Sequence, residues 1–264
     1  MRRLHIIALV SLGLLSPAFF FAQSAASQSQ VLLRQTLSAQ TGGVPTNDVT
    51  LTGTISFPHS AQTGTYPVTF IVLASGTSQM VTSLPQGVVT HVWSNGGTPS
   101  LSITGPSGTA QIQPTGQSTL MPAAAWFSPS IVTALAAGPA YTVTDGGSVT
   151  KNGLTLHHYV ATSVAPAQTQ IDIYVDSGTS LPAAMVFQVN PYHAPGPTIS
   201  ATPHAVVVPE EIRFSNYQSV QGELIPLRVQ AYLGQVGLQI MDITLSSALM
   251  NTGVSISVPS VTTN

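Results

Sequence analysis

Residues Val206 to Leu245 read VVVPEEIRFSNYQSVQGELIPLRVQAYLGQVGLQIMDITL, and their alternation decides the fold. Ile212 and Phe214 share one parity, while Glu211, Arg213 and Ser215 occupy the other. Leu227, Val229, Ala231 and Leu233 alternate in the same way with Arg228, Gln230 and Tyr232. Successive side chains of a strand point to opposite faces, so each run has one apolar and one wetter side. Turn chemistry separates the runs at Gln221-Gly222-Glu223 and at Gly234-Gln235-Val236-Gly237, where glycine adopts positive φ without steric cost. The stretch predicts a three-strand antiparallel meander. Glu210, Glu211, Arg213, Glu223, Arg228 and Asp242 concentrate charge here, in a chain that is only 5% charged.

An ordinary soluble domain is about 25% charged. Ser, Thr, Gln, Asn and Gly between β-branched runs fill the deficit, which predicts a polar but uncharged all-β surface. The chain is 264 residues long, 43% hydrophobic and free of Cys, enough to bury one core without disulfides. Thiol catalysis is thereby excluded. Nucleic acid is not an expected partner. Arg2 and Arg3 sit in the leader, so the remaining basic residues are outnumbered by 8 acidic ones and form no basic patch.

Met1-Arg2-Arg3, an apolar run from Leu4 to Ala22, and small residues at Ala22-Gln23-Ser24-Ala25-Ala26 read as an export signal cleaved after Ser24 or Ala26. The expectation is a signal peptide over residues 1–26 and a single domain over 27–264, periplasmic or secreted. Membrane contact is then transient, or is made through the same apolar segment if it stays uncleaved.

Gln28 to Ala39 predicts a short amphipathic helix with Val31, Leu32, Gln35 and Leu37 at near-helical spacing. Strands are expected at Val49–Phe57, Tyr66–Ala74, Ser78–Leu84, Val88–Ser94, Ser100–Thr104 and Ala110–Gln113, punctuated by Gly, Pro and Asn. Both parities of Val68–Leu73 are apolar, which predicts cover on both faces. Thr119 to Ala137 is rich in Ala, Leu and Met but broken by Pro122 and Pro129. Two short helices should therefore meet near Ser128, with Ser128 as N-cap and Pro129 in the first helical position. Met121, Trp126, Phe127, Ile131 and Leu135 can lie on the sheet, as plain core or as a movable lid. Hairpins are expected around Lys151-Asn152-Gly153 and Asp176-Ser177-Gly178-Thr179, and an exposed loop from His193 to His204.

Asp176-Ser177-Gly178 matches the Asp-Ser/Thr-Gly signature of aspartic proteases, whose chemistry needs two carboxylates sharing one proton. Asp145-Gly146-Gly147 lacks the hydroxyl residue, so such an enzyme would have to dimerise around Asp176. The same tetrad is also ideal turn chemistry. His157 and His158 are adjacent on a strand and so point to opposite faces, and no His-x-His or His-x3-His spacing occurs. No metal site, cofactor or complete catalytic constellation is expected.

The order of elements, together with two local patterns, resembles the LolA/LolB-like lipoprotein-localisation family. Ile173-Tyr174-Val175-Asp176, leading to Thr179-Ser180-Leu181-Pro182, is similar to that family's strand–turn–Leu-Pro hairpin. Phe214-Ser215-Asn216-Tyr217, then Val220-x-Gly222-x3-Pro226-x-Arg228, resembles its F-S-D-Y…V-x-G-x3-P-x-R pattern, with Asn216 in place of Asp. Asn251 falls where the family often has Asn before the last strand. The resemblance implies a mainly β (α+β) fold: a strongly curved antiparallel sheet forming an incomplete β-barrel, with short helices over its concave face.

It also implies a non-enzymatic protein that binds an apolar small molecule, lipid, acyl chain or lipidated protein in the groove. Phe70, Trp93, Trp126, Phe127 and Phe187 are the expected groove residues, chosen for apolar bulk on two-faced strands or the lid, with core packing as the plain alternative. The alternative functions are a structural or sensory envelope protein using the fold for protein contacts and, more remotely, the dimeric protease.

Overall fold

The computed structural model describes residues 17–60, 63–94, 100–112, 123–164, 170–189, 208–234 and 237–257. A helix α1 (Pro17–Thr41) leads into β1 (Asp48–Ser56), β2 (Thr65–Leu73), β3 (Ser78–Leu84), β4 (Gly87–Trp93), β5 (Ser100–Gly105) and β6 (Gly108–Ile112). One turn of 3-10 helix (Ala124–Phe127) and helix α2 (Pro129–Ala136) follow. The chain continues through β7 (Tyr141–Lys151), β8 (Leu154–Ser163), β9 (Gln170–Asp176), β10 (Pro182–Val189), β11 (Val208–Val220), β12 (Glu223–Leu233) and β13 (Leu238–Met250).

All 13 strands form one sheet in the order β6-β5-β4-β3-β2-β1-β13-β12-β11-β10-β9-β8-β7. Strands β1–β6 make one meander and β7–β13 another, and the β1–β13 ladder is the seam between these two wings, with Val49 opposite Met250 and Ser56 opposite Asp242. The meander from Val206 lies beside that seam, as β11, β12 and β13. Its inner parity is the expected one: Ile212, Phe214, Val229 and Ala231 are buried. The β11–β12 turn places Gln221 and Gly222 at φ 50° and 89°, and the β7–β8 turn places Asn152 and Gly153 at φ 52° and 78°. Both are the left-handed pairs that a tight hairpin requires.

Curvature has a local cause. Register slips at Thr52/Gly53, Asp145/Gly147, Pro182/Ala184 and Ala231/Tyr232, and a bulge bends its strand and steepens the twist. The sheet ends at β6 and β7 without closing, so it is an incomplete barrel with helices on its inner side. Ser128 separates the two short helices and Pro129 opens α2, as the sequence requires, although the Ser128 hydroxyl makes no cap bond.

Several expectations need correction. α1 begins at Pro17, upstream of the expected Gln28. Its buried positions are Ser29, Leu33, Thr36, Gln40 and Thr41, whereas Val31 is 49% exposed and Gln35 is exposed. Of the expected stripe, Leu32 packs against the core and Leu37 is half-buried, while hydrogen bonds from Gln30, Arg34 and Gln40 complete the docking, so the apolar stripe marks the docked face only in part. Strand β2 is fully covered on one side only: Val68, Phe70 and Val72 are buried, but Ile71 and Leu73 are half-buried, because the helices lie on one face of a single-layer sheet. Asn251 follows β13 and no strand comes after it among the described residues. Instead it ties the seam, accepting the Asn47 N–H at 2.7 Å and donating to the Pro45 carbonyl at 3.2 Å. Met121 and the stretch from His193 to His204 lie outside the described residues.

Candidate functional site: the aromatic cluster inside the sheet

The 3-10 turn sits between the wings. Phe127 meets Phe70 of β2 edge to face, with ring centroids 4.9 Å apart, while the preceding residue, Trp126, lies flat on Phe187 of β10 at 4.2 Å and 11°. Five strand spacings separate β2 from β10 in the sheet, about 24 Å if it were flat at ~4.8 Å per strand. Two consecutive residues can touch both only because the sheet curls around them. Phe70, Phe127 and Phe187 are buried, and Trp126 is half-buried against the same core.

The structure therefore brings together four of the five residues expected from sequence. The fifth, Trp93, closes β4 further toward the β6 edge, half-buried and stacked on His91 at 5.3 Å. Burial lowers the His91 pKa to about 4, so its imidazole is neutral near pH 7.

Helix α1 covers the other wing, against β7, β12 and α2. Polar contacts hold it there. The Gln30 amide donates to the carbonyls of Ala137 and Gly138, both at 3.2 Å, and the Arg34 guanidinium donates to Ala137 at 3.3 Å. These donors satisfy carbonyls at the C-terminal end of α2, where a helix leaves them open. Gln40 donates to the Leu224 carbonyl at 3.3 Å, while its own buried Oε1 has no partner. Between α1 and strands β8 and β9 lies a half-open cleft of about 290 Å³, lined by Leu32, Thr36, His157, Tyr159, Val175 and Asp176 among others. Burial, and after it the Asp145 charge, raise the Tyr159 phenol.

Sequence reasoning missed the polar groups of the inner wall. Ser78, Thr82, His91 and Glu210 are buried, and the hydroxyls of Ser78 and Thr82 and both carboxyl oxygens of Glu210 lack hydrogen-bond partners. The signal was present for Glu210, which shares its parity with Ile212 and Phe214.

The motifs that suggested catalysis fill other roles. Asp176 Oδ1 accepts the backbone N–H of Gly178 at 3.0 Å and of Thr179 at 2.7 Å, and the Thr179 hydroxyl at 3.0 Å. That is a side-chain-capped turn. His157 faces the cleft and pairs with Asp145 at 3.0 Å, while His158, on the opposite face, stacks on Tyr174 and pairs with Asp172 at 2.8 Å. Among the described residues no group of three or more His, Asp or Glu is gathered that could hold a metal ion.

Comparison with solved structures fixes the fold. A domain from Vibrio parahaemolyticus named for outer membrane lipoprotein sorting superposes with TM-score 0.53 at 10% identity, over 87% of this chain and 95% of its own. A LolA superfamily protein from Nitrosomonas europaea gives 0.51 at 13% identity, over 83% and 92%. A DUF1329 family protein from Desulfovibrio piger gives 0.52 at 11%, over 88% and 95%. No protein-family model and no curated protein matches the sequence. The chain has the LolA-like fold, a curved antiparallel sheet wrapped part of the way round a helical cover.

Proposed function

We propose that this protein is an exported, non-enzymatic binder of an apolar ligand, taken into the hollow between the curved sheet and its helices. The ligand classes are a lipid, an acyl chain or a lipidated protein, and the binding unit is residues 27–264 after loss of the leader. The observation that carries the reading is the Trp126-Phe127 pair, which stoppers both wings from one short turn. A stopper of this kind keeps the apolar wall out of water when no ligand is present, and a single 3-10 turn followed by an eight-residue helix is a small unit to displace. The lining residues are Phe70, Trp93, Trp126, Phe127 and Phe187. Each buried methylene of a ligand contributes about 0.8 kcal/mol, so one chain supplies useful affinity without a charged contact.

Support for the apolar cargo also comes from the superposed domain named for lipoprotein sorting, and support for export from the leader sequence. A second reading, a structural or sensory protein with a permanently filled interior, draws on the mutual contacts of the same aromatic rings. The two separate in one experiment. Purified protein is titrated with the uncharged apolar probe N-phenyl-1-naphthylamine, and native mass spectrometry is run on material from its own cell envelope. Saturable uptake at one site, weakened about tenfold or more by Phe187→Ala, supports ligand binding. An absence of uptake together with a clean apo mass supports the structural reading.

A further inference from the structure

Glu210 occupies the inner face of β11 with Phe187 of β10 and Leu233 of β12 directly across from it. Trp126 lies on Phe187, so the carboxyl stands beside the stopper. It is 0% exposed, and neither of its oxygens has a hydrogen-bond partner. Every other acidic side chain has one. Asp48 takes Thr252 and Gly253, Asp145 takes His157, Asp172 takes His158, and Asp176 takes Thr179. Glu211 takes Lys151 and Arg213, Glu223 takes Thr46, and Asp242 takes Arg228. A carboxyl buried among apolar groups with open lone pairs is unfavourable unless donors reach it.

We propose that Glu210 is the polar anchor of the hollow and makes it selective for amphiphiles whose polar end donates hydrogen bonds, an amine or a hydroxyl, over those ending in a carboxylate. This rests on the reading of the hollow as an apolar ligand site. An ammonium brings three donors and a positive charge that can pair with the carboxylate form of Glu210, a hydroxyl brings one donor, and a carboxylate brings acceptors alone with a negative charge that nothing there compensates. Burial holds the Glu210 carboxyl well above the usual carboxylate range, so without a ligand it is protonated; a carboxylate beside it could accept only its single O–H and would keep its own charge buried without a counter-charge. An ammonium favours the ionised form and makes a charge-assisted bond with it.

The test titrates the full chain with dodecylamine, 1-dodecanol and dodecanoate near neutral pH, read by tryptophan emission and native mass spectrometry. The three chains bury the same hydrocarbon, so the polar end alone sets their order. Dodecylamine and dodecanol should bind at least ~10-fold more tightly than dodecanoate. Glu210→Gln should erase most of the amine-to-dodecanoate preference and leave dodecanol within ~3-fold, whereas Phe187→Leu should shift all three alike. Equal binding of dodecanoate by the wild type, or an unchanged ratio in Glu210→Gln, overturns the role of Glu210 while leaving the ligand site standing. If none of the three binds, the ligand site itself fails and the selectivity falls with it.

Discussion

The two wings of the sheet curl around one core with different chemistry. From Val49 to Ala140, a span that includes most of the first wing, there is no Asp, Glu, Lys or Arg. Its exposed face is tied by hydroxyls, as where Thr104 and Thr109 meet at 2.9 Å across the β5–β6 hairpin, or Thr52 and Ser247 meet at 2.8 Å across the seam. The second wing carries a charged band. Lys151 pairs with Glu211 at 2.7 Å and sits over the Tyr174 ring, Arg213 pairs with Glu211 and covers Tyr232, and Arg228 pairs with Asp242 at 2.9 Å. Inside, the first wing hides a neutral histidine and the second an unpartnered carboxyl. Titration of these two buried groups therefore acts on the wings with opposite sign, while the aromatic stopper that joins them does not titrate at all.

The largest effect should come from that shared joint. Phe127→Ala removes a buried ring from both wings' common core and should cost about 3–5 kcal/mol in urea unfolding, with Trp126→Ala costing less than half as much because it is half-buried. A cost below ~1 kcal/mol for Phe127→Ala would mean that the stopper does not hold the wings together.

Next come the two buried titratable groups. Glu210 has a folded-state pKa raised above its unfolded value. Its stabilising protonated form is fully present below the unfolded pKa, and stability falls by up to about 1.4 kcal/mol per pH unit above that point until the folded pKa is reached. Glu210→Gln should flatten this alkaline slope and stabilise the protein at pH 8 but not at pH 4. His91 behaves in the opposite sense. Its pKa is depressed to about 4, so the unfolded state gains a proton first, and stability is lost as pH falls from ~6.5 toward 4. His91→Gln should remove that acid slope and leave the alkaline one intact. If both variants changed the slope of stability against pH in the same direction, the contrast between the wings would be wrong.

A smaller effect belongs to the seam. Asp48 is buried and would resist ionisation on that account, but the N–H groups of Thr252 and Gly253 and the Thr252 hydroxyl hold its pKa below the ordinary value. Its contribution is therefore present above the unfolded pKa and lost as pH falls through the folded one. Asp48→Asn should cost about 1–2 kcal/mol at neutral pH, and the difference should shrink in acid. The smallest effect is expected at the exposed pair: Arg228→Ala should change stability by less than ~1 kcal/mol, and 1 M salt should erase most of it.

Sequence patterning made most of the sheet legible. Period-two alternation placed the first-wing strands within a residue or two and identified the β11–β13 meander, although β13 runs on to Met250, five residues beyond the stretch that ended at Leu245, and Asn152-Gly153 and Gln221-Gly222 announced their turns. Ser128-Pro129 marked the junction of the two short helices. Three features were hidden for physical reasons. The β1–β13 seam joins residues about two hundred positions apart, and no local pattern encodes such a pairing. The docked face of α1 combines Leu33 with Ser29, Thr36 and Gln40, so hydropathy alone also pointed to Val31, which faces solvent. The polar inner wall interrupts the rule that apolar residues mark the core, and Glu210 in particular reads as surface until its parity with Ile212 is counted. Of the aromatic cluster, the residues were legible by bulk alone. That Trp126 and Phe127 reach opposite wings follows only from the curl of the sheet.

If the Trp126-Phe127 turn is a displaceable stopper between the wings, a bound ligand must pull it away from Phe187. The most direct test uses a Trp93→Phe variant, in which Trp126 is the single tryptophan, titrated with an uncharged apolar probe while amide exchange is followed over residues 124–136. The expected result is a saturable shift in Trp126 emission as it leaves Phe187, with faster exchange across that segment. Probe uptake that leaves both signals unchanged, or no uptake at all, would contradict it.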